Sequence, residues 1–160
     1  MMFALSILSN TYYLSPNDWL NIAFRLSLAM FFGAIIGLER ESRRKPAGLR
    51  THMLVSLAAA MFVMIILQTD VEPRDYNGLS RVIQGVATGV GFLGAGVILR
   101  ESPQEESQRV EVKGLTSAAA IWLSAALGMA AGCGLWQLGL IGILLSWFIL
   151  YVVKIYERIY

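Results

Sequence analysis

Five long apolar stretches, separated by short polar segments, dominate the pattern of this chain. They cover about residues 19–38, 53–68, 82–99, 115–131 and 135–153. A helix needs about 20 mostly apolar residues to cross the hydrocarbon core of a bilayer. The pattern therefore predicts an all-α, polytopic membrane protein in which residues 1–160 form a single domain, a five-transmembrane-helix bundle.

The composition indicates that lipid is the solvent of this chain. Hydrophobic residues make up 56% of the 160 residues and charged residues only 15%, whereas about 25% is usual in soluble domains. This balance excludes an ordinary soluble globule, a disordered chain and a disulfide scaffold. One cysteine, one histidine and a net charge of +2 give no basis for a disulfide, a histidine-rich metal site or a nucleic-acid partner.

Lysine and arginine residues are distributed unevenly between the two predicted sides of the membrane. Arg74 and Arg81 lie between the second and third stretches, and Arg25 lies within the first. The other ten of the 13 cations lie on the opposite side: Arg40, Arg43, Arg44, Lys45, Arg50, Arg100, Arg109, Lys113, Lys154 and Arg158. Since loops rich in Lys and Arg stay in the cytoplasm, we expect the N-terminus outside and the C-terminus in the cytoplasm.

Glycines recur at helix-packing intervals in three of the five stretches. In lipid, small residues four positions apart let two helix backbones approach closely. The glycines expected to pack in this way are Gly33, Gly37, Gly85, Gly89, Gly91, Gly94, Gly96, Gly128 and Gly132. We infer that spans one, three and four form a tight central cluster. The alternative is that glycine is simply common in membrane helices.

Few polar side chains interrupt the predicted spans. Arg25 is expected to extend towards the outer headgroups rather than face the bundle interior. Apart from it, no Asp, Glu or Lys is predicted at mid-membrane, which argues against a proton relay. A water-filled path lined by Gln84, Thr88 and Thr116 would instead favour transport.

Charged and hydroxyl residues gather where the spans meet the predicted inner face. This inner-face cluster comprises Glu39, Arg40, Arg50, Thr51, Arg100, Glu101 and Thr116. The two carboxylates can pair with the neighbouring arginines, and Thr51 can cap the second helix. The cluster is either a binding or partner-contact site, or a set of cytoplasmic arginines with local ion pairs. It contains no nucleophile with an adjacent base, so enzyme chemistry is not expected.

Four motifs at this face carry a family resemblance. They are GLERE, which begins at Gly37, AGLRT at Ala47, GFLGAGVILRE at Gly91 and VKGLTSAAAIW at Val112. In this order, over about Gly33 to Gly132, they resemble the MgtC/SapB family of bacterial inner-membrane proteins. The resemblance implies a five-span bundle in the plasma membrane. Some members are linked to survival in low magnesium or inside host cells. Longer members carry a cytoplasmic ACT-like C-terminal domain, whose functions we do not expect here.

Two hypotheses about function follow. The first is a non-catalytic membrane protein, without cofactor or metal, that regulates or binds other membrane proteins and forms a homodimer in the lipid bilayer. The alternative is a transporter or channel for magnesium or another cation, for which the glycine-rich third span is the main support.

Overall fold

The computed structural model describes residues 17–69, 76–101 and 113–153, and all regular structure within these ranges is helical. The helices are α1 (Trp19–Ser42), α2 (Leu49–Thr69), α3 (Tyr76–Glu101), α4 (Leu115–Gly132) and α5 (Trp136–Phe148), which continues into a π-helical turn (Ile149–Val153). The first four are long and apolar enough to cross a membrane, and the fifth is a shorter apolar helix. The all-α membrane class is thereby confirmed, whereas the five-span count and the orientation of the termini stay predictions.

Local backbone chemistry determines where α1 begins and ends. The side chain of Asp18 accepts a hydrogen bond from the Asn21 N–H at 3.2 Å and so caps the N-terminus. At the other end, the Arg44 N–H donates to the Glu41 carbonyl at 2.9 Å and the Lys45 N–H donates to the Arg40 carbonyl at 3.0 Å. With Arg44 in the left-handed region at φ 52°, this is a Schellman turn. The chain can then reverse direction into α2.

Helices α1 and α2 run antiparallel with their backbones in contact. A Cβ atom added at Gly33 would lie 2.5 Å from the His52 carbonyl oxygen, and one at Gly37 would lie 2.7 Å from the Leu49 Cα. Real Cβ atoms do not approach other atoms so closely. Both positions therefore require glycine for α1 and α2 to keep this separation.

Helices α2 and α4 run parallel and are packed equally closely. A Cβ atom at Gly128 would overlap the Ser56 carbonyl, and one at Gly132 would lie 2.8 Å from the Ala60 carbonyl oxygen. The Ser56 hydroxyl also donates to the Ala29 carbonyl of α1 at 2.6 Å. Because these contacts recur every four residues, α1, α2 and α4 share one register along the centre of the bundle.

Apolar side chains fill the remaining space between the helices. The buried core is made up of Ala29, Phe32, Ile36, Ala60, Ala120, Leu127, Ala131 and Ile143. Helix α5 packs against α1 where Gly139 faces the ring of Phe32. A Cβ atom at Gly139 would overlap that ring, so only glycine allows this contact. Large apolar side chains on the outer faces of the helices remain exposed, as expected for a protein whose surroundings are lipid.

Helix α3 lies at the edge of this arrangement, so the predicted central cluster of spans one, three and four is wrong. A Cβ atom at Gly94 would lie 3.2 Å from the Ala118 Cβ, whereas nothing lies within 4 Å of such an atom at the four other glycines of the predicted packing set on this helix. Those four are Gly85, Gly89, Gly91 and Gly96. The central position belongs to α4, which contacts each of the other four helices and is the most buried of the four long helices.

This arrangement predicts opposite effects of adding one methyl group at two glycines. Gly128→Ala should lower the free energy of unfolding by about 1–3 kcal/mol, because α2 and α4 must separate to admit the Cβ atom. Gly89→Ala should cause no loss, since its Cβ atom meets open space and alanine favours helix over glycine by about 1 kcal/mol. Thermal unfolding in detergent, followed by circular dichroism, measures both. Equal destabilisation by the two substitutions would contradict the arrangement.

Candidate functional site

The predicted inner-face cluster lies at one end of the bundle, which we call the basic end. Helix α1 ends there and α2 begins there, with the turn Arg43–Gly48 between them. The guanidinium of Arg43 lies 5.8 Å from the centre of the Tyr151 ring, so α5 also reaches this end. Because α4 is parallel to α2, its first turn lies at this end as well.

Glu39 is the centre of an ion-pair group at the basic end. The Nε atom of Arg40 donates to Oε2 of Glu39, and the Nε atom of Arg43 pairs with Oε1. The side chain of Arg40 is only 3% exposed. A buried arginine requires such a partner, so Glu39 and Arg40 form a structural ion pair that is closed to an incoming ligand.

Glu41 joins α1 to the start of α2. Its Oε2 atom accepts a hydrogen bond from the Leu49 N–H at 2.7 Å, which satisfies one of the unpaired amides of the first turn and places a negative charge at the positive end of the helix dipole. The expectation that Thr51 caps α2 is therefore wrong. Helix α2 begins two residues earlier, and Thr51 is an exposed residue of its first turn.

The members of the predicted cluster on α2 and α4 do not join the ion-pair group. Arg50 and Thr116 are exposed on the surface of α2 and α4. The side chains of Arg100 and Glu101 lie outside the described part of the chain. The structure thus brings together Glu39 and Arg40, adds Arg43 and Glu41 to them, and leaves Arg50, Thr51 and Thr116 accessible.

His52 is a buried polar residue that the sequence prediction missed. It lies in α2 with no exposed surface, and its Nδ1 atom is 2.8 Å from the Ser124 hydroxyl of α4. That hydroxyl donates to the Ala120 carbonyl at 3.1 Å, so it accepts from His52 and places the imidazole hydrogen on Nδ1. Among the described residues, no group hydrogen-bonds to Nε2. The four-residue spacing of His52, Ser56 and Ala60 is the sequence signal that could have placed it in the core.

Arg25 is buried, so the prediction that it extends towards the headgroups is wrong. It is 2% exposed, its Nε atom donates to the Asn21 side-chain oxygen at 3.0 Å, and a terminal nitrogen donates to the Gly132 carbonyl at 2.9 Å. That carbonyl belongs to the last turn of α4, where unpaired carbonyls and the negative end of the helix dipole favour a cation. Arg25 therefore binds the α4–α5 turn to α1.

The turn from α4 to α5 is shaped to receive this arginine. Gly134 has φ +76°, and a Cβ atom there would lie 3.1 Å from the guanidinium carbon of Arg25. Cys133 precedes it as a buried residue at the end of α4. Burial raises the pKa of the Cys133 thiol, which keeps it protonated and unreactive at neutral pH.

An open apolar groove runs between α2 and α3. It encloses about 590 Å³. Its α2 wall includes Val55 and Phe62, and its α3 wall includes Gly85, Gly89 and Leu93. Two of the four uncovered glycines of α3, Gly85 and Gly89, therefore face this groove.

The polar residues whose lining of a water-filled path would have favoured transport lie on the outside of the bundle. Gln84, Thr88 and Thr116 are exposed, and the Thr88 hydroxyl donates to the Gln84 carbonyl of its own helix at 2.8 Å. Within the ranges that the structure describes, no three His, Cys, Asp or Glu side chains come together in a way that could hold a metal ion.

Comparison with known proteins shows clear relatives. Residues 26–159 match the model of the MgtC family. Protein SrpB from Synechococcus elongatus is 54% identical over 136 residues, which are 83% of this chain and 75% of SrpB. Escherichia coli K12 has a relative named "Putative magnesium transporter YhiD", 42% identical over 80% of this chain and 58% of YhiD. Protein MgtC from Salmonella typhimurium LT2 is 40% identical over 68% of this chain and 42% of MgtC. The chain thus spans about half of the length of the last two. No solved structure matches.

The buried position of Arg25 predicts a large cost for its removal. Arg25→Met should lower the free energy of unfolding by about 2–3 kcal/mol, because it removes hydrogen bonds from a charged donor and leaves the Gly132 carbonyl unsatisfied. The free energy of unfolding of the Arg25→Lys variant should lie between that of Arg25→Met and that of the native chain. As a control, Arg81→Met, at an exposed site on α3, should change stability by less than about 0.5 kcal/mol. If Arg25→Met matched that control in thermal unfolding, Arg25 would not bind the α4–α5 turn.

The hydrogen bond between His52 and Ser124 predicts energetic coupling between α2 and α4. In a double-mutant cycle of His52→Ala and Ser124→Ala, the two effects on unfolding should deviate from additivity by at least about 0.5 kcal/mol. The control pairs His52→Ala with Thr88→Ala, whose hydroxyl bonds within its own helix, and should be additive. Additive effects in both cycles would show that His52 and Ser124 do not interact.

Proposed function

The chain belongs to the MgtC family, and from this membership and the geometry we propose that it is a non-catalytic protein of the bacterial plasma membrane that binds another membrane protein. The α2–α3 groove is the proposed binding surface. The partner is a transmembrane helix, contributed by a different protein or by a second copy of this chain. Binding would regulate that partner, in keeping with a role in adaptation to low magnesium.

The uncovered glycine face of α3 is the observation that carries this proposal. In the same bundle, the glycines of α1 and α4 are each covered by a neighbouring backbone, whereas Gly85 and Gly89 face an open groove. Transmembrane helices associate through close contact between small residues. A second helix against Gly85 and Gly89 would make the same kind of contact that Gly128 makes with α2.

The close packing of the bundle centre also favours binding over transport. Helices α1, α2 and α4 are in backbone contact at Gly33 and Gly128, which leaves no space for an ion between them. Membrane ion pathways are usually lined by ionisable side chains that face a cavity. In the described residues, Glu39 and Arg40 are instead engaged with each other.

Magnesium transport is the second candidate function. Its specific support is the name of the relative YhiD, which is 42% identical over 80% of this chain. Because the chain spans 58% of YhiD, transport by the relative need not reside in the shared part. Uptake of Mg²⁺ into proteoliposomes separates the two candidates. We expect no uptake above that of empty liposomes. Robust uptake that is abolished by Gly94→Leu would overturn the binding proposal.

Filling the groove should abolish association without unfolding the protein. In a Gly85→Leu, Gly89→Leu variant, the leucines would occupy the space of the partner helix, while the melting temperature should stay within a few degrees of the native value. Ala23→Leu, at an exposed site on α1, is the matched control and should leave association intact. Association is measured as self-association by energy transfer in liposomes and as co-purification of membrane proteins after cross-linking in the native membrane.

If the double-leucine variant retained every complex formed by the native chain, the groove would not be the binding surface. Loss of the same complexes on Ala23→Leu would likewise rule against a specific role of α3.

A further inference from the structure

We propose that the basic end binds the headgroup of an anionic phospholipid through Arg43, Arg44, Lys45 and Arg50. This site is separate from the α2–α3 groove and does not depend on the proposed function. It assigns a ligand to the exposed Arg50 of the inner-face cluster and to three neighbouring cations, none of which lines the groove.

The position of these cations matches the depth of lipid headgroups. The turn that carries Arg43, Arg44 and Lys45 directly follows the 24-residue helix α1, which is long enough to span the hydrocarbon core. Arg44 and Arg50 are exposed, and Arg43 and Lys45 are partly exposed. Clusters of Lys and Arg immediately beyond a membrane helix attract anionic lipids, and each cation near the surface contributes about fivefold in affinity.

Both carboxylates of the turn region already have partners. Glu39 is engaged by Arg40 and Arg43, and Glu41 accepts the Leu49 N–H at 2.7 Å. Across the described residues, no carboxylate forms an ion pair with the side chain of Arg44, Lys45 or Arg50. The turn thus offers to an external anion three cations, Arg44, Lys45 and Arg50, with which neither Glu39 nor Glu41 forms an ion pair.

Arg43 is held in place beside an apolar surface. Its guanidinium lies over the Tyr151 ring at 5.8 Å, and that ring stacks on Trp147 with centroids 5.1 Å apart and planes 5° apart. The Nε atom is engaged by Glu39, so the terminal nitrogens of Arg43 remain as donors. Tyrosine and tryptophan are the aromatic residues enriched at headgroup level.

The combination of cations with neighbouring exposed aromatic rings favours a phospholipid over a free phosphate ion as the ligand. Trp147 and Tyr151 are about half exposed and lie beside the cations, so they can contact an acyl chain whose headgroup phosphate meets the turn. An aqueous anion would use the cations alone. Guanidinium groups bind phosphate oxygens in pairs, and a phospholipid places that phosphate at the depth of the turn.

Quenching of Trp147 by brominated phospholipids tests the proposal. All proteins in the experiment carry Trp19→Phe, Trp122→Phe and Trp136→Phe, so that Trp147 is the only tryptophan, and each is first shown by circular dichroism to melt like the native chain. They are reconstituted in phosphatidylcholine vesicles with increasing amounts of acyl-brominated phosphatidylglycerol or phosphatidylcholine. The ratio of quenching constants gives the preference for the anionic lipid.

We expect a preference of about fivefold or more for phosphatidylglycerol in the parent protein. It should fall towards one in the Arg44→Gln, Lys45→Gln, Arg50→Gln variant, which leaves the buried Arg40 and the paired Arg43 in place. The matched control, Arg81→Gln, removes an exposed arginine 13 residues before Gly94 on α3, away from the basic end. It should keep the full preference.

Three results would overturn the proposal. The first is a preference below about twofold in the parent. The second is retention of more than half of the parent's preference in the triple variant, or an equal loss in the Arg81→Gln control. The third is displacement of the lipid by inorganic phosphate, which would indicate a phosphate site instead of a lipid site.

Discussion

Contact between the backbones of α1, α2 and α4 is the constraint on which the rest of the structure depends. In lipid there is little gain from burying one apolar side chain against another, so helices associate where small residues allow close approach. Gly33 meets the backbone of α2 from one side and Gly128 meets it from the other. Each contact repeats one turn further along, at Gly37 and Gly132. Helix α2 therefore packs its backbone closely against both α1 and α4 although it contains no glycine.

The polar residues of the bundle follow from the same close approach. Because α2 and α4 are so near, the His52 ring reaches Ser124 and the Ser56 hydroxyl reaches a carbonyl of α1. Where α4 ends, the short distance to α1 lets Arg25 donate to the Gly132 carbonyl. Helix α3 lies at the edge of the bundle, so Gly85 and Gly89 face the α2–α3 groove. On the part of the chain that the structure describes, that groove and the cations of the basic end are the main accessible features.

The sequence predicted the helical class and most of the glycines at which helices pack, but not which helix packs against which. The apolar stretches located each helix of the described ranges. Helices α2 and α3 nevertheless begin before the stretches, at Leu49 and Tyr76, because polar residues continue a helix beyond the hydrocarbon core. Glycine spacing indicates a helix surface that another backbone can approach closely, but it does not indicate which helix will pack there. The acceptor of Arg25 lies 107 residues away in the chain, and no local pattern contains that information.

Solid-state NMR of the protein in lipid bilayers tests the backbone contact most directly, because the chain has a single histidine. With ¹³C introduced only at histidine and glycine, the account predicts cross-peaks between His52 and the Cα atoms of Gly33 and Gly37, assigned by their loss in Gly33→Ala and Gly37→Ala. No cross-peak should join His52 to a glycine of α3. Absence of the Gly33 and Gly37 cross-peaks, or a cross-peak to Gly85, Gly89, Gly91 or Gly96, would contradict the close packing of α1 against α2.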